Sequence, residues 1–585
     1  MPSTLHGIPA SPGIVTGPVY LLRWEVPEVP QRSIEAHEVP GELVRLSAAF
    51  DQAVRRLEDV RDHASRTAGP AEAAIFDVQI SMLADPDLRD RVEEAVRQHF
   101  SAERAFDVVM REWREHFGRS ANAMMRERVG DLTDVHIRVL TVLMGLPDHD
   151  PVDVPKGTNA ILVTHDLTPS LTVQIDRERI AGIATDAGTR TSHVAILARS
   201  LGLPAVVGLL NATERLSSGD HVILDGTAGS LVARPTTAEL ADAAARRTVE
   251  QRETIVLAAL SGAEAVTADG EHVVLRANVD IPEEAHLGRE NGAEGVGLMR
   301  TEFLVVGRTT MPDEDEQVAA YRNVLRAFEG QPVVIRTFDI GGDKLPVGGY
   351  PHEANPFLGW RAIRMCLDEP EIFKTQLRAL LRAALHGDVR IMLPLIVSVD
   401  EVRQARFLLA ESARELTARG VPHRADVPLG VMIETPAAAM CADALAGDVA
   451  FCSIGTNDLV QYTLAVDRGN ASLASRFTPL HPAVLRLIHR TVRVANAHHL
   501  EVSVCGEMAS EPLMAFALIG LGIRTLSVAP RSVPRVKQIV RSIRASVASD
   551  AALAALDAGT AAGAERLLRE RLDAELARMH DSSAP

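Results

Sequence analysis

The spacing of apolar residues changes along the chain and predicts where helices and strands lie. Residues 1–23 alternate like strands between glycines and prolines, whereas residues 34–145 carry apolar side chains at three- and four-residue steps, as helices do. The clearest stripe is Leu43, Leu46, Phe50, Val54, Leu57 and Val60. From about residue 150 short apolar runs bounded by glycine, aspartate and proline return, which is typical of strands. We therefore predict a small mixed α/β domain that contains a helical insertion.

The chain after residue 260 repeats a strand followed by a helix. Eight strand-like runs occur there, and segments of helical period, among them 370–386, 401–419 and 483–498, lie between most of them. The runs are HVVLRANVD, GVGLMRTEF, PVVIRTFDI, RIMLPLI, LGVMIET, FCSIGTNDL, EVSVCGEM and TLSVAP. Alternating β and α units of this number predict a (β/α)8 barrel, an architecture in which chemistry gathers where the strands end.

Together these patterns predict a multidomain α/β protein. We expect an α/β domain interrupted by a helical subdomain, followed by a helical linker, a (β/α)8 TIM barrel and a short tail. The predicted boundaries are 1–33 with 146–235 for the α/β domain and 34–145 for the helical subdomain. They are 236–260 for the linker, 261–575 for the barrel and 576–585 for the tail.

Composition and charge narrow the class of protein. The formal net charge of −17 argues against nucleic acid and against an anionic membrane surface as partners. No apolar run reaches the roughly 18–20 residues that span a bilayer, and the N-terminus shows no secretory signal. The 4 cysteines have neither zinc-binding nor disulfide spacing. We therefore expect a soluble, cytoplasmic protein without membrane insertion.

Arginines follow several of the predicted barrel strands. Arg300 and Arg336 directly follow the apolar residues of two of the runs, Lys344 follows in VIRTFDIGGDK, and Arg361 and Arg468 stand in NPFLGWRAIR and VDRGN. Guanidinium groups bind phosphate and carboxylate oxygens through paired hydrogen bonds. An ordinary ion pair is the alternative for each arginine taken alone. The set, placed at strand ends of an acidic chain, indicates a pocket for a small polyanion.

Two acidic residues, Glu434 in GVMIETPAAA and Asp458 in SIGTNDLVQYT, stand at the ends of neighbouring predicted strands. Carboxylates inside a cationic pocket suit Mg²⁺, with the substrate completing the coordination shell. General acid–base catalysis and salt bridges to the arginines are the alternatives. Cys505 in VSVCGEMAS also ends a strand, and for this residue burial as a small hydrophobe and a chemical role are equally open.

His193 stands in DAGTRTSHVAILARSLGLPAVVG, where a glycine-bearing loop meets an apolar helical run. The preceding Thr191 and Ser192 suit a helix N-cap, so a phosphoryl group on the imidazole would lie near free backbone N–H groups. Arg190 and Thr191 would add hydrogen bonds. Because imidazole is nucleophilic at neutral pH, we predict a phosphoryl relay. A structural histidine and a metal ligand are the alternatives, although no HExxH motif or cysteine pair lies nearby.

With these residues in place, the chain resembles Enzyme I of the bacterial sugar phosphotransferase system, the phosphoenolpyruvate–protein phosphotransferase family. The resemblance runs from GIPASPGIVTG to about residue 575. Its most specific motifs are TSHVAILARSLGLPAVVG, GLMRTEF, RTFDIGGDK, NPFLGWRAIR, ETPAAA, SIGTNDLVQYTLAVDRGN and CGEMA. Several long motifs in the right order identify a family better than any single short one.

The resemblance implies a phosphoryl relay between two proteins. Members of the family bind phosphoenolpyruvate and Mg²⁺ in a C-terminal barrel, phosphorylate a histidine of a swivelling N-terminal domain and release pyruvate. They then pass the phosphoryl group to a histidine of the carrier protein HPr, which docks on the helical subdomain. They form homodimers through their barrels. His193 matches the phosphorylated histidine.

The resemblance also implies roles for residues of the predicted barrel. The positions that match phosphoenolpyruvate-binding residues are Arg300, Arg336, Asn457 and Arg468. Glu434 and Asp458 match Mg²⁺ ligands, and Cys505 matches the proton donor to the enolpyruvate leaving group. We expect Lys344, Arg361 and Asp458 to contact the substrate as well.

The chain departs from the family at the phosphorylation motif. The family usually has a second glycine where this chain has Thr189, and a small residue where it has Val194. A β-carbon at position 189 restricts the loop, but neither change removes a reacting group. We therefore expect altered rates and not inactivity.

Two alternative functions fit parts of the same pattern. Pyruvate, phosphate dikinase and phosphoenolpyruvate synthase use a similar histidine domain and barrel, but they need a nucleotide-binding domain. The 192 residues ahead of His193 are mostly of helical pattern and contain no glycine-rich phosphate loop. The other alternative is a catalytically silent regulatory homologue, which only Thr189 favours. Turnover with ATP would identify the first, and absence of turnover the second.

Overall fold

The computed structural model describes most of the chain in two compact units, residues 1–253 and residues 254–585. The described residues are 3–22, 26–67, 70–118, 128–146, 154, 157–167, 171, 175, 179–188, 194–195, 198, 202–282, 284–305, 310–341, 353, 355–468 and 470–582. No helix among them is both long and apolar enough to cross a membrane.

The first unit contains a sheet of eight described strands. They are β1 Ser3–His6, β2 Ile8–Ser11, β3 Ile14–Leu22, β4 Ala160–Thr164, β5 Ile180–Thr185, β6 Ala205–Val207, β7 His221–Asp225 and β8 Ser230–Ala233. Their order across the sheet is β1-β8-β7-β3-β4-β5-β6-β2. The pairs β3–β4, β4–β5 and β5–β6 are parallel and the others antiparallel. The N-terminal strands therefore pair with the later α/β segment.

The central strands of this sheet are apolar because both faces are covered. The strand β4, with the sequence AILVT, is buried at every position. Leu162 belongs to the core on one face together with Val194 and Ala195, whereas Ile161 belongs to the core on the other face. Val194, one of the two departures noted in the phosphorylation motif, is a core residue that is 1% exposed.

Helices occupy the chain between β3 and β4. They are α1 Val39–Thr67, α2 Pro70–Ala84, α3 Pro86–Arg97, α4 Ala102–Gly118 and α5 Val129–Leu143. The apolar stripe of α1 lies in their common core, where Phe50 and Leu57 are almost wholly buried. The side chain of Asp85 caps α3 by accepting a hydrogen bond from the N–H of Asp87, with Pro86 at the first helical position.

Two further helices follow in this part of the chain, α6 Ala212–Arg215 after β6 and α7 Thr237–Ala259 after β8. The helix α7 occupies the stretch predicted to be a helical linker. The exact domain boundaries stay a prediction.

The second unit is built on a closed barrel of eight parallel strands, since β9 pairs with both β10 and β16. The strands are β9 Val274–Val279, β10 Val296–Met299, β11 Pro332–Arg336, β12 Asp388–Leu393, β13 Leu429–Ile433, β14 Phe451–Ile454, β15 Glu501–Val504 and β16 Thr525–Val528. The predicted fold class, a mixed α/β protein with a (β/α)8 barrel, is confirmed.

Helices separate the barrel strands and pack around them. They are α8 Glu284–Glu290, α9 Glu314–Ala327, α10 Ile363–Asp368, α11 Pro370–Ala383, α12 Val399–Ala418, α13 Pro436–Met440, α14 Ala442–Ala446, α15 Thr456–Leu464, α16 Pro482–Ala497, α17 Pro512–Gly520, α18 Val533–Ser542, α19 Ala545–Leu556 and α20 Ala561–Ser582. The helix α11 buries Phe373, Leu377 and Leu380, which recur at the helical period. The helical segments predicted from periodicity agree with α11, α12 and α16.

The barrel interior changes in polarity along the strands. At the amino end Glu501 pairs with Arg276 and with Arg390, each at 2.7 Å. Beyond these two ion pairs lies an apolar cluster, separate from the core between strands and helices, formed by Leu298, Val334, Met392, Met432, Phe451 and Cys505. Charged groups return at the carboxyl ends of the strands, the end at which barrel enzymes hold their active sites.

Candidate active site

The candidate site lies at the carboxyl ends of the barrel strands. The predicted residues described there end a strand, follow it directly, lie in the first turn of α15, or stand shortly before α10 or after α15: Arg300, Arg336, Arg361, Glu434, Asn457, Asp458, Arg468 and Cys505. The predicted residues outside the described part of the chain are Lys344 and, in the first unit, Arg190, Thr191, Ser192 and His193, together with the departure at Thr189.

Two buried aspartates join three arginines through ion pairs. Asp339 pairs with Arg336 at 2.9 Å and with Arg361 at 2.6 Å. Asp458 pairs with Arg361 and with Arg468, each at 3.3 Å. The two aspartate side chains are 4% and 5% exposed. These five residues form the arginine network, which brings three of the predicted anion-binding residues together.

Burial and charge together set the protonation of the network. Burial disfavours the charged form of Arg336, but the carboxylates of Glu302 and Asp339 outweigh this effect and raise the pKa of Arg336. Burial also acts against the charge of Asp339, and the attraction of Arg336 and Arg361 outweighs it and lowers the pKa of Asp339. Both groups are therefore charged at neutral pH.

An aromatic ring supports two of the arginines. The guanidinium groups of Arg361 and Arg468 each lie 5.7 Å from the centroid of the Phe357 ring, within the range of a cation–π interaction. The hydroxyl of Tyr462 donates a hydrogen bond to the carbonyl oxygen of Phe357, and it accepts one from Arg361 at 3.4 Å. The loop of Phe357 is thereby tied to the helix that follows β14.

Two acidic partners of the arginines, Glu302 and Asp339, were not predicted from the sequence. Glu302 accepts a hydrogen bond from Arg336 at 2.6 Å and another from the N–H of Asp339 at 3.2 Å. The signal was present, because Glu302 and Asp339 follow Arg300 and Arg336 by two and three residues in the quoted motifs. A buried arginine needs a counterion, and the nearest acids along the chain are the first candidates.

Arg300 and Asn457 have more accessible partners. Arg300 pairs with Asp280, whose side chain is 55% exposed. The side-chain amide of Asn457 donates to Glu507 at 3.3 Å, and its oxygen accepts from the N–H of Glu507 at 3.2 Å. Ion pairs in contact with water contribute little, so an incoming anion can replace Asp280 on Arg300.

Glu434 is buried among other carboxylates. It is 3% exposed, and burial, together with the negative charges of Asp458 and Asp339, raises the pKa of Glu434 to about 8. The N–H of Leu395 donates to Glu434 Oε1 at 2.6 Å. Leu395 has a φ of +56° at this point, which is rare for a residue with a bulky side chain.

Glu434 and Asp458 have the chemistry to hold a divalent metal ion. Carboxylate oxygens are the ligands that Mg²⁺ prefers, and a cation would relieve the repulsion between these two groups. No group of three or more His, Cys, Asp or Glu side chains suited to a metal occurs among the described residues. Further ligands would therefore come from substrate or water. Asp458 also forms salt bridges with Arg361 and Arg468, which was the alternative to a metal-binding role.

Cys505 is the member of the apolar cluster that directly follows β15, on the side of the charged end of the barrel. Its side chain is buried, and burial raises the pKa of the thiol to about 11, so the thiol keeps its proton at neutral pH. The side-chain amide of Asn278 donates to the carbonyl oxygen of Cys505 at 3.1 Å. Ser527 donates in turn to the amide oxygen of Asn278 at 2.6 Å. The backbone at Cys505 is thus fixed, which suits a proton donor as well as a packed residue.

Known families match the chain in three successive segments. The profile described as "PEP-utilising enzyme, N-terminal" matches residues 6–128, and the one described as "PEP-utilising enzyme, mobile domain" matches residues 156–229. The profile described as "PEP-utilising enzyme, PEP-binding domain" matches residues 256–545, which contain the whole arginine network.

Curated relatives match over almost the full length. One from Geobacillus stearothermophilus is 41% identical over 95% of this chain and 96% of its own length. Another from Haemophilus influenzae is 38% identical over 97% of this chain and 99% of its own length. Both are named phosphoenolpyruvate-protein phosphotransferase. The chain belongs to the phosphoenolpyruvate-protein phosphotransferase family.

Membership of the phosphoenolpyruvate-protein phosphotransferase family confirms the resemblance seen in the sequence motifs. A third member, from Staphylococcus carnosus, is 39% identical over 93% of this chain and 95% of its own length. These relatives do not favour the dikinase alternative.

Proposed function

We propose that this chain accepts the phosphoryl group of phosphoenolpyruvate on His193, releases pyruvate, and passes the phosphoryl group to a histidine of the carrier protein HPr. This reaction is the first step of the sugar phosphotransferase system. The observation that carries the proposal is the arginine network, because it gathers three guanidinium groups at the end of the barrel where small anionic substrates bind.

The arginine network suits a substrate with two anionic groups. A guanidinium has five N–H donors, and the aspartates of the network occupy only part of this capacity. Phosphate and carboxylate both accept paired N–H donors from arginine. Arg300, Lys344 and Asn457 complete the substrate site in this proposal.

Glu434 would hold Mg²⁺ together with Asp458, which also belongs to the arginine network. When bound, the ion would neutralise negative charge on the phosphoryl oxygens. The N–H of Leu395 holds one oxygen of Glu434 at 2.6 Å, which fixes the direction of the carboxylate.

The transfer exchanges one bond to phosphorus for another. The imidazole nitrogen of His193 forms a bond to phosphorus as the bond between phosphorus and the enol oxygen breaks. The electron pair of the broken bond stays on the enolate, whose charge the arginines offset. The thiol of Cys505 then gives its proton to the enolate carbon, which yields pyruvate, and the thiolate recovers a proton from water.

The proposal includes the protein partners. HPr docks on the helical subdomain, residues 34–145, and Arg190, Thr191 and Ser192 hydrogen-bond the phosphoryl group while it rests on His193. The chain forms a homodimer through its barrel and works in the cytoplasm. Membership of the family supports these parts.

The test is the intact mass of the full chain after incubation with phosphoenolpyruvate and Mg²⁺. We expect an acid-labile gain of one phosphoryl group, which moves to added HPr, and no gain in the His193→Ala variant. The exposed His221 offers a matched control, since His221→Ala removes an imidazole outside the motif. A gain in His193→Ala, or none in the parent chain, would overturn the proposal, and a gain only with ATP would favour the dikinase alternative.

A further inference from the structure

A glutamine stands in the apolar face of α11, the helix that packs on the barrel. Phe373, Leu377 and Leu380 fill this face, and Gln376 is as fully buried as they are, at 0% exposure. Burial of an amide costs free energy unless its oxygen and its N–H groups find partners. The partners of Gln376 therefore explain its place in the core.

Gln376 contacts the ends of two barrel strands. Its oxygen accepts a hydrogen bond from the backbone N–H of Phe338 at 3.0 Å, beyond β11. Its nitrogen donates to the hydroxyl of Thr301 at 3.3 Å, beyond β10, and to the hydroxyl of Tyr321 at 3.2 Å. The hydroxyl of Thr301 donates to the carbonyl oxygen of Arg336 at 3.0 Å, so the two strand ends are also joined directly.

The chemistry of the partners fixes which way the amide points. The N–H of Phe338 can only donate, so the atom of Gln376 that faces it is the oxygen. The nitrogen then supplies its two hydrogens to Thr301 and Tyr321, and Tyr321 passes its own hydrogen to Gln317 at 3.0 Å. Each of these hydrogens has one acceptor, so the hydrogen-bond network has a single pattern of donors and acceptors.

The two strand ends are those that carry the arginines of the site. Thr301 directly follows Arg300, and Phe338 stands between Arg336 and Asp339. The neighbouring backbone is held as well, since the N–H of Thr337 donates to the carbonyl oxygen of Met392 at 3.0 Å. A small displacement of a substrate-binding group costs up to about a hundredfold in rate.

We infer that Gln376 is a positioning residue for phosphoenolpyruvate: from outside the barrel it fixes the strand ends that carry Arg300 and Arg336 relative to each other. The inference rests on the proposed function, because it assigns these arginines to that substrate. Gln376 itself does not touch the site and acts through Thr301 and Phe338.

The Gln376→Met variant keeps the length of the side chain and removes all of its hydrogen bonds. Gln317→Met is the matched control. Gln317 is also a buried amide, 1% exposed, and bonds to Tyr321 and to the carbonyl oxygen of Pro312, but it reaches neither strand end. Initial rates of phosphoryl transfer to HPr, with the full chain in catalytic amount, are measured against phosphoenolpyruvate concentration, and thermal unfolding is followed in the same samples.

We expect both variants to unfold at lower temperature, and only Gln376→Met to show a KM for phosphoenolpyruvate raised about tenfold or more. A merely structural role would reduce the active fraction, and thus the apparent kcat, without raising KM. An unchanged KM in Gln376→Met, or the same rise in Gln317→Met, would overturn the inference. Should Gln376→Met not fold, Thr301→Val removes the hydrogen bond between Gln376 and the end of β10 together with the bond from Thr301 to the carbonyl oxygen of Arg336. An unchanged KM in Thr301→Val would overturn the inference.

The parent chain separates this inference from the proposed function. If the parent is not phosphorylated by phosphoenolpyruvate, the proposed function is wrong, and the inference falls with it. If the parent is phosphorylated by phosphoenolpyruvate and Gln376→Met has the same KM as the parent, only the role of Gln376 is wrong.

Discussion

The guanidinium of Arg336 lies 2.9 Å from the carboxylate of Asp339, its neighbour three residues further along the chain. Asp339 also pairs with Arg361 at 2.6 Å, so one buried carboxylate directs two cationic groups. Because β11 ends at Arg336, the chain leaves the strand through this pair. The residues that directly follow β11 therefore belong to the anion-binding site.

Replacing Asp339 by asparagine should weaken phosphoenolpyruvate binding. Arg336 and Arg361 would lose their shared counterion and repel each other, and loss of one partner from a buried ion pair costs about 3–5 kcal/mol. We expect KM for phosphoenolpyruvate to rise at least tenfold, with a lower midpoint of thermal unfolding. Asp280→Asn is the matched control, since Asp280 pairs with Arg300 but is 55% exposed. Equal effects in the two variants would contradict the role of burial.

Replacing Glu434 by glutamine should raise the concentration of Mg²⁺ needed for phosphorylation. A neutral amide is a poorer ligand for this ion than a carboxylate. We expect the half-maximal Mg²⁺ concentration, titrated at saturating phosphoenolpyruvate, to rise at least tenfold. Glu501→Gln is the control: it removes a carboxylate from the opposite end of the barrel, where it pairs with Arg276 and Arg390. If Glu434→Gln has the same Mg²⁺ requirement as Glu501→Gln and the parent, Glu434 is not a ligand.

The parts of the fold that the sequence predicts are those set by local pattern. The barrel follows from strand-like runs that alternate with helical periods, and the position of Arg300 and Arg336 at strand ends follows from where those runs stop. Side chains at the carboxyl ends of parallel strands must meet at one end of a barrel. The place of the candidate site therefore needs no knowledge of long-range contacts.

The connections inside the site are beyond such patterns. Gln376 stands in QLRALLRAAL, where a polar residue reads as part of an ordinary amphipathic helix, and only the packed structure shows its amide at two strand ends. Asp339 likewise gains its importance from Arg361, which lies 22 residues further on. Pairings between distant segments depend on the register of the closed barrel, which periodicity does not specify.

The stability of the helical segment should depend on pH through His136. This residue of α5 is fully buried, with Nε2 3.1 Å from a carboxylate oxygen of Asp107, and burial lowers the pKa of His136 to about 4. An unfolded histidine titrates near 6.5. Between these two values the unfolded chain binds more protons, so stability is lost as the pH falls from about 6.5 to about 4.

The expected loss at His136 is at most about 3–4 kcal/mol, at 1.36 kcal/mol per pKa unit. It can be measured as hydrogen exchange of α4 and α5 in the full chain at several pH values, corrected for intrinsic exchange. His136→Gln should flatten the dependence over this window, whereas His221→Gln, at an exposed position, should leave it unchanged. If stability changes with pH in His136→Gln as it does in the parent chain, groups other than His136 cause the pH dependence.

Cys505 and Cys452 are both buried thiols of the barrel, but only Cys505 lies at the charged end. Alanine variants of the two residues therefore form a matched pair that tests whether Cys505 gives its proton to the enolate. With phosphoenolpyruvate stereospecifically labelled at its methylene carbon, the chirality of the methyl group in pyruvate shows which face received the proton. We expect one face in the parent chain and in Cys452→Ala. In Cys505→Ala, enolpyruvate would take its proton from water on both faces, while His193 would still be phosphorylated, at a rate lower by about tenfold or more. Single-face protonation in Cys505→Ala would show that another group delivers the proton.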